Sequence, residues 1–193
     1  MNEKQELTQQ ERKFLLKLAR KSIETAFDRT NPEVKEEELT EKLKEIRGCF
    51  VTLTKKGRLR GCIGHIIPQE PLYQSVINNA RSASFRDFRF HPLGREELKD
   101  IHIEISVLTV PVDLEFNSPE DLLNKLIPHK DGVVLKIGPY QATYLPQVWE
   151  QLPDKKMFLD SLSQKAGLNA DAWRGKNTKI QIYHVEAFEE ELH

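Results

Sequence analysis

The stretch IHIEISVLT, residues 101–109, restricts the fold of this chain more than any other. Isoleucine and valine at positions 101, 103, 105 and 107 alternate with His102, Glu104 and Ser106. Alternation with a period of two predicts a β-strand that has one apolar face and one polar face. Such a strand is stable only as part of a sheet, and other strand patterns occur on both sides of it.

Helical and strand patterns alternate along the rest of the chain. Apolar spacing and helix-start signals predict helices at about residues 8–27, 36–45, from 71 onward, 118–127 and 154–166, with Gly167 placed to end the last one. Strands are predicted in a hairpin at residues 49–64, in GVVLKIGPYQATYL and in KIQIYHVEAF. Because these elements do not follow a β-α-β rhythm, the pattern predicts an α+β fold, with a largely antiparallel sheet flanked by helices.

The composition restricts the class of protein. A chain of 193 residues is long enough for one large domain or for two small lobes that share a core. Its 29 basic and 30 acidic side chains argue against nucleic-acid binding through bulk charge, although they are compatible with a local basic patch. No apolar run is long enough to span a bilayer, and the polar start MNEKQELTQQERK is unlike a secretory signal. The two cysteines lack a CxxC spacing, so a reduced, cytoplasmic protein is expected.

The stretch CFVTLTKKGRLRGCIG is predicted to form a β-hairpin. A three-residue loop builds one apolar face by pairing Leu53 with Leu59, Val51 with Gly61 and Cys49 with Ile63. The other face then has Phe50 opposite Cys62 and Thr52 opposite Arg60. A four-residue loop mixes apolar and charged residues on both faces. Because a slip of one residue inverts every side chain, the hydrophobic pattern favours the first register. Gly57 then occupies the left-handed position of the loop.

Cys62, which lies between Gly61 and Gly64, has two interpretations. In the first, the thiol is reactive: the glycines leave space beside it for a substrate, and Arg60 lowers its pKa. It then points away from Cys49, so the two do not form a disulfide. In the second interpretation, Cys62 is a small residue that packs in the interior, as free cysteines often do.

Arginines and aromatic residues crowd together in ARSASFRDFRFHPLG, residues 80–94. Arg86 and Arg89 are suited to hold a carboxylate or phosphate, and the neighbouring rings are suited to stack a base or another ring. Alternatively, Asp87 and nearby acids pair with these arginines, and the rings belong to the core.

Histidine and acidic side chains near these motifs offer little sign of metal binding. His65, His91, His102 and Glu104 do not have a recognised ligand spacing. The sequence contains neither a phosphate-binding glycine loop nor a GxSxG motif. It therefore predicts no metal and no cofactor.

Five sequence blocks occur in an order that is typical of a known family. The blocks are FVTLTKKGRLRGCIG, ARSASFRDFRFHPL, IEISVLT, YLPQV and KAGL…AW. With these blocks the chain resembles the AMMECR family over about residues 48–188, and the LRGCIG block is the most specific of the five. Where the family commonly has Asp-Pro-Arg-Phe, this chain has Asp87-Phe88-Arg89-Phe90.

The resemblance implies a fold, partners and a cellular role. It implies a two-lobed α+β domain over residues 1–193, in which the LRGCIG hairpin faces a cleft. It also implies association with a Memo-like protein and a radical S-adenosylmethionine enzyme. The function suggested for the family is a role in modifying RNA or another macromolecule.

The residues and the resemblance together support two functional hypotheses. The first is an enzyme, or the substrate-handling component of one, in which Cys62 is the nucleophile or thiol carrier and Arg60 lowers its pKa. In this hypothesis Arg86, Asp87 and Arg89 bind an anionic substrate. The second is a non-catalytic binding or adaptor module whose cleft docks a protein partner or a ligand. An accessible thiol beside an arginine-lined cleft favours the first, and a buried Cys62 beside a broad apolar patch favours the second.

Overall fold

The structure, a computed structural model, describes residues 6–67 and 69–191. The contacts divide the chain into two compact units. The first contains the residues up to Thr109 and those from Glu186 onward, and the second contains Val110–Val185. Both units consist of antiparallel sheet and helices, which confirms the predicted α+β class. The assignment of both units to one domain over residues 1–193 stays a prediction.

Each unit is built on a four-stranded sheet. The first sheet has the strand order β2-β1-β3-β8, and the second has the order β4-β7-β5-β6. In chain order, the helices and strands are α1 (Gln9–Phe27), α2 (Glu41–Lys44), β1 (Cys49–Lys55), β2 (Arg58–His65), α3 (Leu72–Phe85), β3 (Ile101–Leu108), β4 (Val112–Asp113), α4 (Pro119–Lys125), β5 (Gly132–Ile137), β6 (Tyr140–Tyr144), α5 (Lys155–Lys165), β7 (Lys179–Tyr183) and β8 (Val185–Glu189).

The core of the first unit is formed by α1, α3 and one face of the sheet. The predicted strand at residues 101–109 is confirmed as β3, in which positions 101, 103, 105 and 107 are buried. Helix α1 begins as predicted because Thr8 caps it. The Thr8 hydroxyl accepts a hydrogen bond from the Glu11 amide at 3.2 Å, and the Glu11 carboxylate accepts one from the Thr8 amide at 2.7 Å.

Two predicted elements are each divided in the structure. The helix predicted at residues 36–45 consists of a 3₁₀ turn, Glu36–Glu38, and the short helix α2, because Leu39 has an extended backbone. Thr40, at the start of α2, donates a hydrogen bond from its hydroxyl to Glu11 at 2.5 Å. The last predicted strand is also divided at His184, and its two parts, β7 and β8, belong to different sheets.

The second unit has its own apolar core. The Trp149 and Phe158 rings stack at its centre, with their centroids 3.6 Å apart. Ser118 caps α4 as the helix-start signal predicted, and Asp154, where the next helix was predicted to begin, caps α5. Gly167 has the left-handed backbone (φ 82°) expected after α5. Among the described residues of both units, no helix has the length and apolar character needed to span a bilayer.

The β1–β2 hairpin forms, but its predicted register is wrong. Lys56 and Gly57, with φ of 52° and 73°, make a two-residue turn in place of the predicted three-residue loop. Arg60 is then an extra residue in β2, a β-bulge that shifts the pairing. The cross-strand partners are Lys55–Arg58, Thr54–Leu59, Leu53–Gly61, Thr52–Cys62, Val51–Ile63, Phe50–Gly64 and Cys49–His65.

The bulge explains how a shorter turn still produces an apolar face. It shifts β2 by one residue before Gly61, so Val51 and Leu53 keep their side chains in the core. Leu59, which was predicted on that face, is instead 45% exposed. The sequence signal was weak because two-residue turns of this kind prefer asparagine or aspartate where this chain has Lys56.

Candidate functional site around Cys62, Asp87 and Arg89

Cys62 lies in the edge strand β2, on the face of the sheet that is turned away from the core. Its cross-strand neighbour is Thr52, and the neighbour of Thr52 on β3 is Glu104. A thiol, a hydroxyl and a carboxylate therefore occupy one row across three strands. The Thr52 hydroxyl donates a hydrogen bond to the Cys62 Sγ at 3.2 Å, and Cys62 is half-buried.

The other cysteine has a different environment. Cys49 is buried on the core face, and Asn79 of α3 donates hydrogen bonds to its Sγ at 3.4 Å and to its carbonyl at 3.1 Å. Burial raises the pKa of the Cys49 thiol to about 12. Both cysteines are free thiols, and they lie on opposite faces of the sheet. The Cys49 side chain packs in the core.

Asp87 fastens the segment after α3 to strand β2. Its side chain is 1% exposed, and its carboxylate accepts hydrogen bonds from the Cys62 amide at 2.9 Å and from the Arg89 amide at 3.1 Å. The guanidinium of Arg89 adds two more, from Nε at 2.9 Å and from Nη2 at 2.6 Å. This pairing with Arg89, helped by the two amides, holds the pKa of Asp87 well below its usual range.

Arg89 completes this connection, which we call the Asp87 clamp (Asp87, Arg89 and the backbone of Cys62). Its Nη2 also donates to the Cys62 carbonyl at 3.1 Å. The N–H and C=O of Cys62 are thus bonded by side chains at the edge of the sheet, where another strand would otherwise pair. The clamp therefore closes this part of the edge.

The two side chains of the clamp, Asp87 and Arg89, belong to a tight turn, Asp87–Phe90. The Phe90 amide donates to the Asp87 carbonyl at 3.0 Å, which closes the turn. The bend forms with Phe88 at its second position. Aspartate at the first position fixes it, because the Asp87 carboxylate binds the Arg89 amide two residues on.

Arg60, predicted to act on the Cys62 thiol, is paired with a carboxylate instead. Its Nε and Nη2 donate to Glu97 at 3.1 and 2.8 Å, and Lys55 donates to the same carboxylate at 2.8 Å. Arg60, then Lys55 and the Gly94 amide, lower the pKa of Glu97 well below its usual range. The remaining nitrogen, Nη1 of Arg60, is buried and has no hydrogen-bond partner within residues 6–67 and 69–191.

The two glycines of the motif serve close packing. A Cβ at Gly61 would lie 2.1 Å from the carbonyl oxygen of Ala83, so Gly61 lets β2 approach α3. A Cβ at Gly64 would lie 2.4 Å from the Phe50 ring. The space that was predicted beside the thiol is therefore occupied by the α3 backbone and by the Phe50 ring.

An open pocket of about 420 Å³ lies beside the clamp, and we call it the arginine pocket. It is lined by Arg60, Phe88, Arg89, Phe90 and His91. Two guanidinium groups, an imidazole and two rings form this lining, which contains no carboxylate and does not include Cys62.

The structure brings some of the predicted site residues together and separates others. Cys62, Asp87 and Arg89 are hydrogen-bonded to one another, and Arg60 lines the same pocket as Arg89. Arg86 is exposed, and its side chain makes no hydrogen bond or ion pair with any described residue.

The candidate metal ligands are likewise dispersed. His91 lines the arginine pocket, whereas His102 contacts Glu189 at 3.1 Å. No group of three or more histidine, cysteine, aspartate or glutamate side chains in the described part of the chain is arranged to hold a metal ion.

Sequence reasoning did not find Glu97 or Thr52. Glu97 lies 37 residues after Arg60 in the chain, and its one local signal is that it follows Gly94 at the spacing of a capping residue. Thr52 was assigned to the correct face of β1, but the wrong register separated it from Cys62. Both positions depend on tertiary pairing.

Comparison with known proteins identifies the relatives of this chain. The AMMECR1 family model matches residues 16–188. A protein from Nanoarchaeum equitans is 40% identical over 92% of this chain and 99% of its own length. A protein from Methanosarcina acetivorans is also 40% identical, over 95% of this chain and 94% of its own.

A solved structure shares the fold. The crystal structure of an uncharacterized protein from Pyrococcus horikoshii superimposes with a TM-score of 0.71 at 36% sequence identity. The similarity covers 92% of this chain and 90% of the other. The sequence comparison and the structure comparison thus both find proteins that are similar to this chain along most of its length.

Proposed function

This chain belongs to the AMMECR1 family, and from the geometry of its site we propose that it binds the anionic group of a substrate or ligand in the arginine pocket. The observation that carries this proposal is the lining of the pocket, in which the described residues supply guanidinium and imidazole groups, while the carboxylates paired with the two arginines, Glu97 and Asp87, lie outside the lining. Such a lining attracts phosphate or carboxylate oxygens. The protein is then a substrate-handling component or a binding module.

The charges around Arg60 support the proposal. Glu97 carries one negative charge between two cations, Arg60 and Lys55, so this group keeps a net positive charge. The unpaired Nη1 of Arg60 is a buried donor, and a buried donor without an acceptor is costly. Because this nitrogen is closed off from solvent, a ligand in the pocket meets other atoms of the Arg60 side chain.

Arg89 supplies a second cation, which is more accessible. Its side chain is 44% exposed although its guanidinium is bonded to Asp87 and to the Cys62 carbonyl. Because these bonds fix its orientation, Arg89 presents its outer edge to the pocket without needing to become ordered when a ligand binds.

Titration with inorganic phosphate tests the proposed site. We expect the wild-type protein to bind phosphate and Arg60→Gln to bind it about tenfold or more weakly, since a hydrogen bond to a charged group contributes about 1.5–3 kcal/mol. Isothermal titration calorimetry measures the affinity. Arg58→Gln is the matched control, because Arg58 is exposed on the same strand and does not line the pocket. Equal phosphate affinity in Arg60→Gln, Arg58→Gln and wild type would refute the site.

Thiol chemistry at Cys62 is the second candidate function, and the bond from Thr52 favours it. The Thr52 hydroxyl donates to the Cys62 sulfur at 3.2 Å and so orients the thiol on the exposed face of the sheet. With Cys62 as nucleophile or thiol carrier, the arginine pocket would hold the anionic part of the substrate.

Alkylation by iodoacetamide separates this candidate from a structural role for Cys62. We expect Cys62 to react at least about tenfold faster than the buried Cys49, which serves as the internal control. Thr52→Val should slow the reaction at Cys62 alone. A Cys62 that reacts only after unfolding would rule out thiol chemistry.

The partners implied by the family resemblance remain predictions. They are a Memo-like protein and a radical S-adenosylmethionine enzyme, acting together in modification of RNA or another macromolecule. Co-purification from native extract with mass spectrometry of bound proteins and small molecules tests them. Recovery of a protein partner without a small molecule would support the adaptor alternative.

A further inference from the structure

The ring of Phe88 is 95% exposed, more than any other large apolar side chain in the described ranges. A phenylalanine that stays in water forgoes about 1.5–3 kcal/mol of burial. The position does not require an apolar residue for folding, because the turn is closed by the backbone and by Asp87. The exposed ring is therefore available for a ligand.

The turn holds the backbone of Phe88 in a fixed place. Phe88 lies between Asp87 and Arg89, both of which are bonded to the backbone of Cys62. The Leu93 amide donates to the Ser84 carbonyl at 2.8 Å and ties the far end of the segment to α3. A ligand that stacks on this ring therefore does not need to order the backbone of the turn.

The two rings of the arginine pocket differ in what they contact. The Phe90 ring lies 5.5 Å from the Arg89 guanidinium, in a cation–π contact. The Phe88 ring makes no ring or cation contact with any residue that the structure describes. One wall of the pocket is thus an unoccupied aromatic face close to cationic groups.

We infer that the anionic ligand of this pocket carries a planar base that stacks on Phe88, so that the ligand is a nucleotide. The inference rests on the proposed function, because it assigns the class of ligand to the same pocket. A nucleotide carries a planar base and a phosphate in one molecule, which matches a pocket that has both an exposed aromatic ring, Phe88, and cationic groups, Arg60 and Arg89. The pocket volume of about 420 Å³ lies within the range of small-molecule sites.

Three phosphate compounds measure the contribution of the ring. Stacking of one base on an aromatic side chain contributes about 1–3 kcal/mol, which corresponds to a factor of about 5–150 in affinity. We therefore expect wild-type protein to bind adenosine monophosphate at least about fivefold more tightly than ribose 5-phosphate. Phenyl phosphate, which has a ring without the sugar spacer, should bind no better than ribose 5-phosphate.

Variants of Phe88 connect this preference to the ring. Phe88→Ser should bind adenosine monophosphate and ribose 5-phosphate with affinities within about twofold of each other, while Phe88→Trp keeps the preference. Ile67→Ser is the matched control, because Ile67 is an exposed apolar residue outside the pocket.

A single-stranded oligonucleotide in the same titration distinguishes a free nucleotide from a nucleotide within a strand: tighter binding of the oligonucleotide assigns the site to a strand.

The outcomes separate the two proposals. If phosphate and ribose 5-phosphate bind but adenosine monophosphate binds no more tightly, the nucleotide assignment is wrong and the anion site stands. If phenyl phosphate binds as tightly as adenosine monophosphate, the site recognises another ring-bearing phosphate and the nucleotide assignment is again wrong. If none of the compounds binds, the anion site fails and the inference fails with it.

Discussion

Two carboxylates, Glu97 and Asp87, each bind an arginine at strand β2. Glu97 binds Arg60, which precedes Gly61 in the strand. Asp87 binds Arg89 and the amide of Cys62, the residue that follows Gly61. Asp87 is 1% exposed, and each of its oxygens accepts two hydrogen bonds from the Cys62 and Arg89 groups. Its arginine, Arg89, also bonds the carbonyl of Cys62. The bonds to the amide and the carbonyl of Cys62 join the turn to strand β2.

The Glu97 group has a different composition. Glu97 is 17% exposed and accepts hydrogen bonds from two cations, Lys55 and Arg60, and from the Gly94 amide. Two positive charges share one carboxylate, and one nitrogen of Arg60 has no partner among the described residues. The charge of this group is not fully matched.

The difference shows that carboxylate pairing alone does not assign a role to an arginine. The Asp87 group is a structural clamp, because its hydrogen-bonding capacity is used to close a sheet edge. The Glu97 group holds an arginine that lines the pocket, where we propose that an anion binds. We therefore expect changes at Asp87 to affect mainly stability and changes at Arg60 to affect mainly binding.

Gly61→Ala is expected to disrupt both groups at once and to have the largest effect. The added Cβ would lie 2.1 Å from the Ala83 carbonyl oxygen, so β2 and α3 must separate. We expect a loss of about 3 kcal/mol or more in the free energy of unfolding, measured by urea denaturation. Gly57→Ala is the control, since it meets no atom within 4 Å and costs about 1 kcal/mol through its positive φ. Equal losses in the two variants would show that the helix contact is not tight.

Asp87→Asn is expected to break only the clamp. The amide cannot accept all four hydrogen bonds and leaves buried donors unpaired, so we expect a loss of about 2–4 kcal/mol in unfolding free energy. Glu97→Gln, in the less buried group, should cost about 1 kcal/mol or less. Urea denaturation of both variants measures the contrast. A loss in Glu97→Gln that equals the loss in Asp87→Asn would remove the distinction between the groups.

Acidification should remove part of the stability that the Asp87 and Glu97 carboxylates contribute. In the folded state the pKa values of Asp87 and Glu97 are lowered by their cationic partners. Groups with lowered pKa values contribute stability above their unfolded pKa values, about 3.9 and 4.3, and this stability is lost as the pH falls below them. We expect unfolding free energy, measured between pH 6 and about 2.5, to fall less steeply in Asp87→Asn than in wild type. Identical slopes would mean that Asp87 does not contribute to acid sensitivity.

Arg60→Gln is expected to have the smallest effect on stability. Glu97 keeps Lys55 and the Gly94 amide, so the loss should be about 0.5–1 kcal/mol, close to the value for a partly exposed ion pair. Thermal unfolding measures this loss beside Arg58→Gln. A loss as large as that of Asp87→Asn would show that Arg60 is a structural residue rather than a ligand-binding one.

The sequence by itself determined the elements and the family. Local signals of hydrophobic period, capping and turn composition predicted α1, β3 and the starts of α4 and α5, and the structure confirms them. Ordered motif blocks indicated the family that the comparisons show. These features depend on residues close together in the chain, or on linear order, and so they can be read without coordinates.

Only the tertiary structure decided the hairpin register, the partners of the arginines and the split of the last strand. Arg60 was predicted to act on Cys62, but it binds Glu97, because the β-bulge makes Arg60 an extra residue and Glu97 comes from a distant segment. Arg89 pairs with its near neighbour Asp87, yet the use of that pair, to bond the edge of β2, follows only from the place of Cys62 in the sheet. Hydrogen bonds between distant residues are set by how strands and helices pack, which no local sequence pattern encodes.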